Sequence, residues 1–296
     1  MTLEQLRIFS VVAELQHFTR AAEALHLSQS AVSASIATLE SRFGISLFHR
    51  VGRRVELNPA GLAFLQEARE ILARARTAEQ VLTDLAGLKR GRLVIQASLT
   101  IVSHWLPRFI VRFRQHYPGI DIQVHVANTL RTSKSIMDGE AELGFVEGAV
   151  NEPTLSCTTI GWDRLLIVAG SGHPWAKLRT LLPEQLLEGE WVLREPGSGT
   201  RSAFEAALRA MDLDVGRLKI VQEMPSNGAT LEAALNSQWV TATSERLAQP
   251  LIQNGAIKPI DFELPRRPFL LLRHKQRYSS SAAQAFIDMI KADPSA

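Results

Sequence analysis

The hydrophobic pattern of the chain changes once, at the segment GLKRG that covers residues 87–91. Before this segment, apolar residues recur at spacings of three and four, which is typical of amphipathic helices. After it, short apolar runs such as RLVIQAS and DIQVHV alternate with helical stretches, as in α/β units with a parallel sheet. The sequence therefore predicts a helical N-terminal part and an α/β C-terminal part, and 296 residues leave room for two or three domains.

Composition and terminal signals narrow the class of protein. No apolar run is long enough to span a bilayer, and the N-terminus (MTLEQLRIFS) has neither the basic region nor the cleavage site of a signal peptide. We therefore expect a cytoplasmic chain without a membrane partner. The single cysteine, Cys157, excludes an internal disulfide and a CxxC metal site, and we expect its thiol to be buried. A net charge of +3 permits a polyanionic partner without requiring one.

The third predicted helix, in residues 27–40 (LSQSAVSASIATLE), has an unusual polar face. Ser28 is the expected N-cap, and one narrow arc of the helix is apolar, with Val32, Ile36 and Leu39. A second arc carries small or amide side chains: Gln29, Ser30, Ser33, Ala34 and Ala37. Short hydroxyl and amide groups allow close approach to a DNA groove and can bond base edges or phosphates. An ordinary polar helix face is the alternative interpretation.

A basic hairpin is predicted directly after this helix. Residues 47–57 (LFHRVGRRVEL) consist of two short strand segments, and Arg50, Arg53 and Arg54 cluster at the tip. Such a wing can reach phosphates or the minor groove beside a recognition helix. Although charge clusters are often only solvated surface, these arginines next to this helix favour contact with double-stranded DNA.

Residues 18–61 (FTRAAEALHLSQSAVSASIATLESRFGISLFHRVGRRVELNPAG) resemble the winged helix-turn-helix of the LysR-type transcriptional regulators. The resemblance implies that Gln29 and Ser30 contact bases. It also implies that five further residues hold the DNA backbone, namely Ser28, Ser33, Arg50, Arg53 and Arg54. Ala34 departs from the family pattern, because many members carry Arg at this position.

A long helix is predicted to follow the wing. Its apolar positions alternate spacings of four and three, as in the seam of a coiled coil: Phe64, Ala68, Ile71, Ala75, Ala78, Leu82 and Leu85. A bare amphipathic helix is the alternative. In the family this helix is the dimer linker, and two recognition helices one turn of duplex apart can read an inverted repeat. We expect a homodimer or homotetramer on an interrupted palindrome.

Strand ends in the α/β part carry candidate ligand-binding residues. Ser98 and Thr100 end the first strand just before a helix, and Asn128 follows a later strand. In residues 194–201 (REPGSGTR), the backbone N–H groups of a Gly-rich turn can bind an oxyanion, and this turn contributes Ser198, Gly199, Thr200 and Arg201. The alternative is a plain N-capped turn. Glu147 would repel an anion unless its carboxylate is protonated or rotates away. It can instead gate the site or bind a cationic group, and the alternative is that it pairs with an arginine or caps a turn.

The α/β part is similar to the effector domain of the same family, which looks like a type 2 periplasmic binding protein with two lobes and a ligand in the cleft. In this resemblance Ser98, Thr100 and Ser198 match positions that contact a small effector, such as sulfite or another oxyanion, or a small carboxylate. Trp239 stands where relatives have glycines, so its indole is expected to narrow or move the pocket.

The implied organisation is a multidomain chain. Residues 1–59 form an all-α winged helix-turn-helix domain, residues 60–88 a linker helix, and residues 91–296 a two-lobed α/β effector domain. Its first lobe comprises residues 91–161 and 267–296, and its second lobe residues 162–266. The crossovers are expected near residues 161–163 and 264–268.

An enzyme and a receptor are the competing functional classes. The chain has no GxGxxG, GxxxxGKS or HExxH motif, and neither Cys157 nor any histidine lies in a local catalytic motif, so we expect no catalysis, cofactor or metal. A two-lobed solute-binding receptor without a gene-regulatory role would explain the α/β part but not the first ninety residues.

Overall fold

The computed structural model describes residues 1–51, 54–85 and 91–293, and the chain forms two compact units, 1–82 and 83–296. The N-terminal unit begins with helices α1 (Leu3–Leu15), α2 (Phe18–Leu25) and α3 (Gln29–Phe43). The hairpin strands β1 (Phe48–Val51) and β2 (Arg54–Leu57) follow, and helix α4 (Pro59–Leu85) begins in this unit. No helix among the described residues is both long and apolar enough to cross a membrane.

The core of the N-terminal unit joins the helices to the hairpin. The ring of Phe9 lies 5.5 Å from Phe48 and 4.9 Å from Phe64, so α1 packs on the hairpin and on the start of α4. A side chain at Gly61 would place its Cβ 2.1 Å from the backbone oxygen of Leu47. This close approach explains the glycine that ends the winged motif.

Helix α4 divides its apolar residues between the core and the surface. Phe64 and Ala68 pack into the core of the N-terminal unit. Ile71, Leu82 and Leu85 are exposed. The first two positions of the predicted coiled-coil seam therefore cannot pack against a second helix, whereas the positions from Ile71 onward are accessible to one.

The described residues of the C-terminal unit form two five-stranded sheets. The sheet of the first lobe has the order β4-β3-β5-β12-β6, from β3 (Gly91–Ala97), β4 (Ile120–Val126), β5 (Leu143–Glu147), β6 (Leu155–Asp163) and β12 (Arg267–His274). Its helices are α5 (Leu99–His104), α6 (Pro107–His116), α7 (Thr129–Asp138) and α11 (Ser281–Lys291). Trp105, Phe145 and Phe269 lie in its core.

The sheet of the second lobe has the order β11-β7-β10-β8-β9. Its strands are β7 (Leu165–Gly170), β8 (Glu190–Arg194), β9 (Lys219–Met224), β10 (Val240–Ser244) and β11 (Ile257–Pro259). Its α-helices are α8 (Gly199–Ala210), α9 (Asn227–Leu235) and α10 (Glu245–Gln253), and short 3-10 helices lie at Pro174–Lys177, Pro183–Glu188 and Val215–Arg217. Trp191 and Phe204 lie in its core.

Two expectations about the C-terminal unit are wrong. Both sheets are mixed rather than parallel, because β12 runs antiparallel to β5 and β6, and β7 runs antiparallel to β10 and β11. Cys157 is exposed on β6, which pairs only with β12 among the described strands. Partial desolvation raises the pKa of its thiol against the opposing charge of Lys275, which disfavours a reactive thiolate.

His173 gives the second lobe a testable pH dependence. The imidazole is buried, and its Nδ1 accepts a hydrogen bond from the backbone N–H of Trp175 at 3.1 Å. Burial lowers the pKa of His173 below its ordinary value of 6.5, although a hydrogen bond with the backbone of Gln238 opposes this shift. Because folding lowers this pKa, the contribution of His173 to the free energy of unfolding is fully present above pH 6.5. It is lost as the pH falls through the folded-state pKa.

We expect the melting temperature of the wild-type chain to fall when the pH is lowered from about 7.5 to about 5, and His173→Asn to reduce that fall. Asparagine can still accept the Trp175 N–H but does not titrate in this range. Thermal melts of both chains across this range check the prediction, and identical pH profiles would contradict it.

Candidate DNA-binding surface and effector cleft

The outer face of α3 exposes the side chains proposed to read DNA. Gln29, Ser30 and Ala34 are exposed and Ser33 is half-buried, whereas the apolar arc of the helix is buried in the core. Ser28 is the N-cap, and its Oγ accepts a hydrogen bond from the backbone N–H of Ala31 at 3.1 Å. The cap fixes the start of the helix, so the exposed amide and hydroxyls stand on a rigid element.

The hairpin lies against the helices by a backbone contact. The N–H of Val55 on β2 donates to the carbonyl oxygen of Gln16, which follows α1, at 3.1 Å. Arg54 is exposed at the start of β2. The side chain of Arg50 and the whole of Arg53 lie outside the described residues.

In the C-terminal unit, Glu147 stands at the end of β5 where the two lobes meet, and it is only 2% exposed. Its Oε2 accepts a hydrogen bond from Ser98 Oγ of the first lobe. Its Oε1 accepts from Thr100 of the same lobe at 3.2 Å and from Thr200 of the second lobe at 3.4 Å. One carboxylate therefore gathers three predicted hydroxyl groups from both lobes.

Two of these hydroxyls are oriented by donors behind them. Asn227 Nδ2 donates to Thr100 Oγ1 at 3.0 Å, and Arg267 Nη1 donates to Thr200 Oγ1 at 3.0 Å. A hydroxyl that accepts such a bond can direct its own proton elsewhere, here toward Glu147. We call the hydroxyls of Ser98, Thr100 and Thr200 and the guanidinium of Arg267 the anion cradle.

Arg267 joins the anion cradle to both crossovers between the lobes. It begins β12, and its Nε and Nη2 donate to Asp163 Oδ2, at the end of β6, at 2.9 and 2.7 Å. Ser244 Oγ of the second lobe donates to Asp163 Oδ1 at 2.8 Å. Arg267 Nη1 also lies 3.8 Å from Glu147 Oε1, and all three charged side chains are buried.

The predicted Gly-rich turn meets Glu147 at the start of α8. A Cβ at Gly199 would lie 2.0 Å from the backbone oxygen of Glu147 and 2.4 Å from Thr129 Oγ1, so only glycine allows this approach of the lobes. Ser198 precedes it as the N-cap, and its buried Oγ has no hydrogen-bond partner among the described residues. The first N–H groups of α8 also lack acceptors within the helix.

The side chains of two predicted effector residues bind other glutamates instead of Glu147. Asn128 caps α7 by accepting the Arg131 N–H at 3.0 Å, and its Nδ2 donates to Glu195 of the second lobe at 3.2 Å. Arg201 instead pairs with Glu205 at 2.8 Å and with Glu223. The expectation that Arg201 adds charge at an oxyanion site is wrong, because one position along α8 turns its side chain by about 100° from Thr200.

The pKa values of these outer pairs follow from their partners. Desolvation lowers the pKa of Arg201, but hydrogen bonds with Glu205 and Glu223 outweigh this effect and raise it. Desolvation raises the pKa of Glu195, but the hydrogen bonds from Arg194 and then Asn128 outweigh it and lower the value. Both groups are therefore held in their charged forms.

Trp239 is not part of the cleft, contrary to expectation. It precedes β10, whereas Ser244 at the other end of that strand contacts Asp163. Five strand residues separate these ends by roughly 17 Å. Val240, the residue after Trp239, pairs with Trp191 near the start of β8, at the same remote end of the sheet.

Sequence reasoning missed three groups of the cleft. Asn227 begins α9 and supports Thr100, while Arg194 at the end of β8 donates to Asn227 Oδ1 at 2.7 Å. Arg267 is the third. Opposite charges at the two predicted crossovers, Asp163 and Arg267, were the signal that could have suggested their pairing. Among the described residues, no three His, Cys, Asp or Glu side chains are grouped to hold a metal ion.

Comparisons with protein families cover both units. Residues 3–62 match the family described as "Bacterial regulatory helix-turn-helix protein, lysR family", and residues 86–294 match "LysR substrate binding domain". The chain belongs to the LysR family. It is a LysR-type transcriptional regulator with a DNA-binding helix-turn-helix and an effector-binding domain, so a receptor without a regulatory role is excluded.

Relatives of this LysR-type regulator match it over nearly its full length. The "Probable RuBisCO transcriptional regulator" of Nostoc sp. (strain PCC 7120 / SAG 25.82 / UTEX 2576) is 33% identical over 96% of this chain and 86% of its own length. The HTH-type transcriptional regulator YeiE of Escherichia coli (strain K12) is 31% identical over 97% of this chain and 96% of its own length. These relatives are named transcriptional regulators, and the LysR family is not a family of enzymes.

Solved structures share the fold at lower identity. Full-length CbnR in complex with its target DNA is 20% identical, with a TM-score of 0.68 over 98% of this chain and 99% of CbnR. A full-length variant of OxyR from Pseudomonas aeruginosa is 20% identical, with a TM-score of 0.63 over 100% of this chain and 96% of OxyR. The predicted combination of helix-turn-helix and two-lobed α/β effector domain is confirmed.

Proposed function

We propose that this LysR-type regulator binds an interrupted palindromic operator in the cytoplasm as a homodimer or homotetramer, and that a small anion in the cleft changes its DNA complex. The effector class is a small carboxylate or an oxyanion such as sulfite. Gln29 and Ser30 contact bases, and the backbone contacts come from Ser28, Ser33, Arg50, Arg53 and Arg54.

The exposed face of α3 is the observation that carries the DNA contacts. Gln29 and Ser30 are exposed at the first turn of a capped helix, while Val32 and Ile36 are buried behind them. The first turn of a recognition helix is the part that enters the major groove. An exposed Gln can form paired hydrogen bonds with adenine, and a Ser can bond bases or phosphates.

The subunit contact is assigned to α4. Leu82 and Leu85 lie one helical turn apart on α4 and are 69% and 81% exposed. Large apolar side chains that are exposed together often mark a protein contact. Pairing α4 with the α4 of a second copy would bury them. Two recognition helices on one dimer would then read two half-sites.

The anion cradle supports the effector class. Three hydroxyls and one guanidinium converge on a carboxylate in the cleft, and such donors suit carboxylate and oxyanion ligands alike. Because these donors come from both lobes, an anion bound to them contacts both lobes at once. It can favour one arrangement of the lobes only if it binds that arrangement more tightly than the other. Asn128, Ser198 and Gly199 line the adjacent lobe contact.

The DNA contacts are tested with Gln29→Ala. An operator is selected from random duplexes with the wild-type chain, and affinities for it and for an unrelated duplex are measured by fluorescence anisotropy. We expect Gln29→Ala to lose roughly 10- to 100-fold in operator affinity while the unrelated duplex changes little, since a paired base contact contributes about 1–3 kcal/mol.

Arg54→Ala is the matched comparison, because it removes a proposed phosphate contact instead of a base contact. It should weaken both duplexes alike and reduce the slope of log affinity against log salt by about one contact. Equal losses on both duplexes for Gln29→Ala would instead remove its role in sequence recognition.

A further inference from the structure

The anion cradle is filled by a side chain of the same domain. Each of its three hydroxyls donates to Glu147, and the guanidinium of Arg267 lies 3.8 Å from the same carboxylate. Thr100, Glu147 and Thr200 are at most 2% exposed. The groups best suited to bind an anion in the cleft are therefore engaged by an internal one.

The surroundings of the cradle are arranged for negative charge at this point. Arg194 donates to Asn227, Asn227 donates to Thr100, and Thr100 donates to Glu147. A second series runs from Arg267 through Thr200 to Glu147. Each series ends in a hydroxyl proton directed at one carboxylate oxygen, so the donors remain oriented toward that position whichever anion occupies it.

We propose that Glu147 is an internal ligand of the anion cradle, and that the effector anion binds by displacing the Glu147 carboxylate. This inference rests on the proposed anionic effector of the cleft. It defines the ligand as an anion that presents two oxygens in the manner of a carboxylate, which both small carboxylates and sulfite do. Glu147 also joins the lobes through Thr200, so displacement exchanges an internal lobe contact for one made by the effector.

The Glu147 carboxylate and an added anion are expected to compete for the anion cradle, because both are negatively charged and Glu147 is attached to the protein. Two anions cannot occupy one set of donors, because each disfavours the charged form of the other at such short range. A group attached to the protein also competes at an effective concentration in roughly the millimolar range or above. The apparent affinity of the wild-type chain for an added anion is therefore set by Glu147 as well as by the cradle.

Removing the Glu147 carboxylate by substitution tests the proposal. Glu147→Ala removes a fragment equivalent to acetate and leaves the donors in place. The full-length chain is titrated in thermal melts with sodium acetate, sodium sulfite and, as a neutral isostere, acetamide. We expect acetate and sulfite to raise the melting temperature of Glu147→Ala saturably, at concentrations at least about tenfold below those that affect the wild type. Acetamide should give no such rise.

Two further variants serve as a control and as an alternative to Glu147→Ala. Glu232→Gln removes a carboxylate that is exposed on α9, and its response to anions should match that of the wild type. Glu147→Gln keeps the side-chain volume while removing the charge, so it carries the test if Glu147→Ala does not fold. Its apparent affinity for acetate or sulfite should also exceed that of the wild type by at least about tenfold.

The outcomes separate this inference from the proposed function. Equal affinities of wild type and both Glu147 variants, or folded variants that bind neither acetate nor sulfite, overturn the internal-ligand proposal. Tighter binding by the variants supports it. If the variants bind these anions but saturating anion leaves the operator footprint of the wild type unchanged, the internal ligand stands and the proposed effector class fails.

Discussion

Arg267→Met is expected to lower the free energy of unfolding of the effector domain by about 3–5 kcal/mol, which is typical when one partner of a buried ion pair is removed. Arg267 neutralises Asp163 at 2.7 Å and lies 3.8 Å from Glu147, and the exposed fraction of each of these side chains is at most 3%. Methionine has a similar length but provides no charge and no N–H donor. Asp163 and Glu147 would then remain in a buried site without the buried cation that lies beside both of them.

Thermal melts of the full-length chain measure this effect. A loss of this size corresponds to a decrease of roughly 6–20 °C in the melting temperature of a domain of about 200 residues. The control is Arg246→Met, because Arg246 Nε lies 4.0 Å from the same Asp163 carboxylate but its side chain is 44% exposed. We expect this exposed pair to contribute less than about 1 kcal/mol. Equal melting temperatures for the two variants would show that burial of the Arg267 pair is unimportant.

Local features of the fold were predictable because their determinants lie within a few residues. Ser28 caps α3 as expected, Thr2 and Gln5 form a capping box at the start of α1, and Asn58 caps α4 by accepting the Gly61 N–H at 2.8 Å. The buried arc of α3 follows likewise from its 3.6-residue period. These interactions need no knowledge of the tertiary structure.

The arrangement of the cleft was only partly predictable. Strand ends indicated Ser98, Thr100 and Glu147 separately, but their hydrogen bonds join residues 49 and 47 positions apart. The Arg267 and Asp163 pair spans 104 positions. Which charges meet at the crossovers depends on the direction in which β12 returns, and the same antiparallel return made the sheets mixed. The alternation of strands and helices carries no information on that direction.

The error at Arg201 has a different physical origin. The sequence places Thr200 and Arg201 together, whereas the start of α8 fixes which of the two faces Glu147. The predicted arginine partner of Glu147 exists, but Arg267 supplies it from the second crossover, while Arg201 is held by acidic neighbours. A Gly-rich turn thus identified the location of the contact but not its cation.

Ala34→Glu is expected to reduce operator binding at least about 100-fold, or about 2.7 kcal/mol, without unfolding the N-terminal unit. Ala34 is exposed on the face of α3 proposed to enter the groove, near the side opposite Val32 and Ile36. A carboxylate there would approach phosphates and the acceptor-rich edges of purines, which repel it and leave it poorly hydrated. Glutamate forms helices nearly as well as alanine, so loss of helix is not the cause.

The matched control is Ala206→Glu, which adds the same charge at an exposed position of α8 in the effector domain. Its operator affinity should stay within about threefold of the wild type, because a single exposed charge away from the DNA is screened at physiological salt. Fluorescence anisotropy measures the affinities, and circular dichroism verifies that both variants retain wild-type helix content. If folded Ala34→Glu binds the operator as tightly as Ala206→Glu does, the outer face of α3 does not enter the groove. The DNA contacts must then be sought on the hairpin.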